Sequence, residues 1–173
     1  MTAETIKNAI RNVPDFPETG IQFKDITPVL ADPNLFEAAI DLLIEGIAPG
    51  DVDAVVGIDA RGFILGAAAA LKLKTGFVPV RKKGKLPYKT HEESYELEYG
   101  TNTVAIHTDA LQPGKRVILM DDLLATGGTA LAAVKLLHRL NVDILELAVL
   151  VELSFLEARQ QFQNLTIRSI VTY

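Results

Sequence analysis

The 173-residue chain has no cysteine, which excludes a disulfide framework and a thiolate metal site. Absence of thiols fits a reducing compartment. Its three histidines, His91, His107 and His138, are too scattered for a metal-binding spacing. Long hydrophobic runs are missing as well. The stretch Gly66–Leu71 is far short of the about 20 apolar residues a membrane-crossing helix needs. The start, Met1-Thr2-Ala3-Glu4-Thr5-Ile6, lacks the basic and apolar regions of a secretory signal. A net charge of -5 provides no basic excess for nucleic acid or for a membrane surface. Repeats, low-complexity tracts and linkers are absent from the sequence. These absences predict a soluble cytoplasmic protein with no nucleic-acid and no membrane partner.

What is present is the composition of a globular domain: 49% apolar residues and mixed charge. The length suits one domain spanning residues 1–173. Ile6 and Ile10 predict a short helix over residues 3–12. Pro14, Pro17, Gly20 and Pro28 then predict an irregular segment over residues 13–28. Asp32-Pro33-Asn34 starts a helix that carries Phe36, Ile40, Leu43, Ile44 and Ile47 at helical spacing. Residues 54–58 read as a buried strand, 62–71 as a small-residue helix, and 76–80 as the next strand. Residues 81–93 are charged, with Gly84 and Pro87 and no apolar periodicity. Residues 95–99 alternate and can pair with 103–106 as a hairpin. A strand over 144–153, a short helix over 154–160 and a strand over 165–171 complete the chain. Apolar strands alternating with helices predict a Rossmann-like α/β fold, a mainly parallel sheet flanked by helices on both faces. Ligands of such sheets sit at the carboxyl ends of the strands.

The most informative stretch is Val117-Ile118-Leu119-Met120-Asp121-Asp122-Leu123-Leu124-Ala125-Thr126-Gly127-Gly128-Thr129. A buried strand ends in two carboxylates, a turn of small residues follows, and a helix begins and runs to about Leu140. A helix start offers unpaired N–H groups and the positive end of its dipole. Glycines let backbone close on an anion, and Thr126 and Thr129 add hydroxyls. The loop from Ala125 through Gly128 to Thr129 is built for a phosphate. Asp121 and Asp122 suit sugar hydroxyls or a magnesium ion. It is neither a nucleoside-triphosphate P-loop, which needs a lysine after the glycine, nor a dinucleotide fingerprint. A second strand-to-helix turn, Gly57-Ile58-Asp59-Ala60-Arg61-Gly62-Phe63, carries an arginine whose planar fork suits a phosphate, although pairing with Asp59 is the plainer reading. Glu96 and Glu98 share a strand face. In the segment from Pro14 to Leu30, Phe16 and Phe23 either anchor the loop or offer a ring to stack on a flat base.

The ordered string from the apolar strand through Asp121-Asp122 to Thr129 resembles the phosphoribosyl-pyrophosphate (PRPP) motif of the type I phosphoribosyltransferases. The other segments resemble those of the adenine phosphoribosyltransferase family in the same order, from about residue 4 to residue 171. The resemblance implies the type I fold with an N-terminal purine hood (13–30) and a flexible loop (81–93). It implies transfer of the phosphoribosyl group of PRPP to adenine, giving AMP and pyrophosphate, with Mg2+ as cofactor and a homodimer as the assembly. It also implies roles. Asp59, Ala60 and Arg61 would form the pyrophosphate loop, where the family often carries a cis peptide that does not precede proline. Lys82 and Lys85 of the flexible loop would close over the pyrophosphate; the family more usually has proline where Lys83 stands. Glu98 would exchange a proton with the purine, with Tyr99 under the mobile loop. Phe23 would stack on adenine, while the backbone near Gln22 and Lys24 reads its edge. Two alternatives stay open: the same reaction on a 6-oxopurine, and a regulator that senses PRPP without turnover.

Overall fold

The computed structural model describes residues 1–96 and 100–173. Among the described residues a seven-stranded sheet has the order β5-β6-β4-β3-β7-β8-β9. Five of its strands, β3 (Ala54–Ile58), β4 (Gly76–Lys82), β7 (Arg116–Leu124), β8 (Asp143–Glu152) and the edge strand β9 (Ile167–Thr172), are parallel. At one edge β6 (Thr101–His107) runs antiparallel to β4, and β5 (Thr90–Glu96) antiparallel to β6. β3 is buried at all five positions, as expected of a parallel strand covered on both faces.

The pleat divides the core. Val56, Ile58, Val117 and Leu119 face one cluster, which α5 (Gly128–Arg139) covers with Leu136 and Leu137. Val55, Ile118, Met120 and Leu150 face the other. That cluster is covered by α1 (Ala3–Ala9), α3 (Pro33–Leu43) and α4 (Arg61–Lys72) through Ile6, Leu43 and Leu65. α2 (Thr27–Ala31) adds Val29 to the same side. The result is a three-layer α/β sandwich.

Five local expectations are corrected. The first helix stops at Ala9, because Ile10 is already extended (ψ 124°) and leads into a strand. Residues 13–28 are not irregular throughout: β1 (Arg11–Pro14) and β2 (Gln22–Asp25) pair as an antiparallel ribbon. β1 is largely exposed and β2 only half-buried, so no apolar alternation announces them. The strand before the phosphate loop does not end at the carboxylates but continues through them to Leu124. Residues 81–93 are strand at both ends, since β4 reaches Lys82 and β5 begins at Thr90. Ion pairs fasten this edge: Glu93 binds Lys135 at 3.3 Å and also Arg139, both on α5. Charges in place of apolar contacts leave no hydrophobic period to read. Residues 154–161 form two 3-10 turns, Ser154–Leu156 and Ala158–Gln161, in place of an α-helix.

The second of these turns is tied to the sheet by a buried carboxylate. Glu152, at the end of β8, accepts from Arg159 Nε and Nη2 at 2.7 Å each and from Ser169 Oγ at 2.5 Å. The guanidinium, aided by the hydroxyl, holds the Glu152 carboxyl below its usual range. A lowered carboxyl stabilises the fold above its ordinary value, and that contribution is lost as pH falls through the lowered one. Arg159→Leu should therefore reduce unfolding stability by about 1–2 kcal/mol near pH 7, the half-exposed arginine being partly screened. The deficit should shrink on acidification below about pH 4. Urea denaturation across pH checks both; a deficit independent of pH would show that the ion pair is not its source.

Candidate active site

The carboxyl ends of β4, β3 and β7 lie side by side, because those strands are neighbours in the sheet. A cleft of about 570 Å³ opens there. One wall carries Asp59, Ala60 and Arg61, with Arg81, Lys82 and Lys85 beside them. The other is the run from Asp121 to Ala130.

Two helices start at this cleft without a side-chain cap, α4 after Ala60 and α5 after Gly127. Side chains close two other helices: Thr2 accepts from Thr5 N at α1, and Asp32 from Asn34 N and Leu35 N at α3, while the short α2 is also without a side-chain cap. The uncapped starts leave N–H groups and positive dipole ends facing the cleft, an arrangement suited to anions. Gly127 makes the second turn possible. It has φ +87°, where an L side chain is strained, and a Cβ there would also lie 3.2–3.3 Å from Ala158, Gln161 and Phe162. Gln161 Nε2 donates to Thr126 O at 2.5 Å, so the 3-10 turn holds the underside of the loop.

Arg61 and Asp122 join the walls. Arg61 Nε donates to Asp122 Oδ2 at 2.5 Å, and Asp122 is 6% exposed. Asp59 pairs instead with Arg81, whose Nε is 3.3 Å from Asp59 Oδ2. The plainer expectation, an Arg61–Asp59 pair, is thus replaced by a bond across the sheet. The Asp59–Ala60 peptide is cis. Gly62 lets α4 approach β7: a Cβ would meet Asp121 Oδ1 at 2.8 Å and Met120 O at 3.0 Å. Burial and the adjacent Asp122 charge push the Asp121 carboxyl well above its usual range.

The hood residues lie outside the cleft wall. The Phe23 ring centre is 5.4 Å from the Arg61 guanidinium carbon and 5.2 Å from the Phe16 ring centre, packed edge-on. The Gln22 and Lys24 side chains are both tied to Asn12, at 2.7 and 2.9 Å. Lys83 turns to Glu92 at 2.8 Å and is not part of the wall. Glu98 and Tyr99 lie outside the described residues. Sequence reasoning missed two residues at the loop. Gln161 belongs to no motif. Tyr95, noted only for alternation, receives the Thr129 hydroxyl proton at 2.8 Å.

The phosphoribosyl transferase domain family matches residues 26–169, so the chain belongs to the phosphoribosyltransferases. Adenine phosphoribosyltransferase from Bordetella avium is 54% identical over 158 residues, covering 91% of this chain and 87% of that one. Adenine phosphoribosyltransferase from Rhodothermus marinus superposes with a TM-score of 0.93 at 51% identity, covering 99% and 98% of the two chains. The Saccharomyces cerevisiae enzyme, complexed with an imino-altritol bisphosphate and adenine, has a TM-score of 0.92 at 40% identity, covering 97% of each chain. Within the phosphoribosyltransferases the chain belongs to the adenine phosphoribosyltransferase family, and its sheet and flanking helices are the type I fold.

The raised Asp121 carboxyl has a sign that can be tested. The unfolded chain ionises it at an ordinary value, while the folded chain retains the proton to higher pH. Stability therefore falls as pH rises between those values, and the penalty is complete above both. Asp121→Asn keeps an oxygen for Asp122 N–H (2.8 Å in the parent) and removes the charge. It should unfold at higher urea than the parent at neutral pH, the gap closing toward about pH 4. A variant less stable than the parent at pH 7 would contradict this.

Proposed function

We propose that this chain transfers the 5-phosphoribosyl group of PRPP to adenine, releasing AMP and pyrophosphate. The observation that carries the reading is the pair of uncapped helix starts facing one cleft, with two carboxylates between them. The α5 turn, Ala125 to Thr129, takes the 5′-phosphate. The α4 turn takes the pyrophosphate through Asp59, Ala60 and Arg61. Asp121 and Asp122 take the ribose hydroxyls. Ring carbon C1 then lies between the two anion sites, where the bond to pyrophosphate breaks and the bond to the purine nitrogen forms. As the leaving oxygen gains charge, Arg61, Lys82 and Lys85 stabilise it, and the Asp122 carboxylate favours the cationic sugar. Adenine enters against Phe23, with the backbone near Gln22 and Lys24 at its edge, and Glu98 exchanges a proton with the ring, Tyr99 lying beside it. Closure of the 81–93 segment would exclude water, a competing nucleophile.

Magnesium fits this donor set as a companion of the substrate. Among the described residues no group of three or more His, Asp or Glu side chains could hold a metal ion. Asp122 is engaged by Arg61, and Asp121 favours its proton. A hard cation would then draw most of its oxygens from PRPP and water, with Asp121 or Asp122 adding at most a minor share. Bound there, it neutralises pyrophosphate charge. A homodimer in the cytoplasm is proposed on the family resemblance.

Pyrophosphate release measured with adenine, hypoxanthine and guanine in parallel tests the base. Adenine should exceed the others by about 100-fold or more in kcat/KM, since a polar-edge mismatch leaves buried groups unpaired. Comparable turnover of guanine would overturn the adenine assignment. Arg61→Ala should weaken PRPP and pyrophosphate binding by at least about tenfold, as expected for loss of a charged hydrogen bond. AMP, which has no group at that turn, should lose far less. Equal losses for AMP and PRPP would make Arg61 a structural partner of Asp122 only. Glu98→Gln should lower kcat by about 100-fold with PRPP binding nearly intact; near-normal kcat would remove Glu98 from the chemistry.

A further inference from the structure

One side chain at the phosphate loop belongs to no motif. Tyr95, on β5, lies across the first turn of α5. Its ring comes within 2.9 Å of the point where a Cβ on Gly128 would stand. Its phenol oxygen lies 2.8 Å from Thr129 Oγ1, and both side chains are half-buried. Thr129 has a single hydroxyl proton, and here it donates that proton to Tyr95. A phosphate oxygen can only accept. A threonine hydroxyl whose proton is committed to Tyr95 would present a lone pair to the anion, which repels it. The phenol, however, carries a proton of its own. The bond can reverse: Tyr95 donates to Thr129 Oγ1, and Thr129 turns its proton to the phosphate. Linked hydroxyls in a poorly solvated site polarise one another, so the outer bond gains strength.

We propose that Tyr95 is a positioning residue for the 5′-phosphate, its phenol donating to Thr129 Oγ1 and thereby aiming the Thr129 hydroxyl at the bound anion. This rests on the reading of residues 125–129 as the phosphate cradle. It also gives the β5 edge a purpose. The β6 ladder sets the register of the strand that carries Tyr95, and the ion pairs from Glu93 tie that strand to α5.

The test uses Tyr95→Phe, which keeps the ring over Gly128 and removes only the phenol oxygen, together with Thr129→Val and the double variant. AMP affinity by calorimetry, the PRPP and adenine KM values, kcat and the thermal midpoint are measured for each. Tyr95→Phe should weaken AMP and raise the PRPP KM by about fivefold, the effect of one hydrogen bond. The adenine KM, kcat and thermal midpoint should stay near the parent's. On the Thr129→Val background, Tyr95→Phe should have almost no further effect on AMP, because the two hydroxyls act as one unit. Unchanged AMP affinity in Tyr95→Phe overturns the proposal. So does an equal loss in both backgrounds accompanied by a lowered thermal midpoint, the mark of a purely structural tyrosine. AMP affinity unchanged in Thr129→Val would overturn the phosphate-cradle reading itself and this proposal with it, so the two failures are told apart.

Discussion

The bond between Arg61 and Asp122 is the constraint on which the cleft depends. Two adjacent carboxylates near the end of one strand, Asp121 and Asp122 of β7, repel each other and resist burial. Arg61 reaches across from the next strand's turn and neutralises the more buried of them. That leaves Asp121 to carry the electrostatic cost, which appears as its raised carboxyl. The same bond fixes the start of α4 relative to β7, an approach that Gly62 permits sterically. Breaking it would leave Asp122 buried and unpaired.

Behind the phosphate loop a second set of contacts acts as a support. Glu152 anchors Arg159, and the turn that begins at Ala158 presses Gln161 and Phe162 against Gly127. Gln161 satisfies the Thr126 carbonyl. The loop's backbone is thus held from below while its N–H groups point into the cleft. An anion site built this way is formed before the ligand arrives, so little ordering remains to be done on binding.

Much of this was legible in the sequence, and for a physical reason. Strand segments buried on both faces, such as β3 and residues 117–120 of β7, must be apolar, and a strand followed by small residues and a helix marks its own anion turn. The elements that escaped lack that signature. β1 is largely exposed and β2 only half-buried, so nothing in their polarity alternates. β5 is held by charges from α5, and a charge run reads as a loop. Within the site, residues 121–129 and 59–61 converge on one cleft, whereas Phe23 reaches it only through Arg61. Asp122 as the partner of Arg61, Tyr95 over Gly128 and Gln161 under Thr126 are contacts between distant segments. Local pattern cannot supply these.

The manner in which β5 is attached also separates the molecule by its response to salt. The central sheet is held by two apolar cores, and added salt does not screen apolar burial. β5 is laddered to β6, whereas its links to α5 and to the end of β4 include ion pairs, Glu93 with Lys135 and Arg139, and Lys83 with Glu92. Charges at a surface lose most of their attraction beyond a screening length of about 10 Å at 0.1 M ionic strength, and less than half that at 1 M. Concentrated salt would therefore weaken the link between β5 and α5 while the β5–β6 ladder and the apolar cores held. Since that edge carries Tyr95 to the phosphate loop, ionic strength would act on the binding of the sugar phosphate before it acted on the fold.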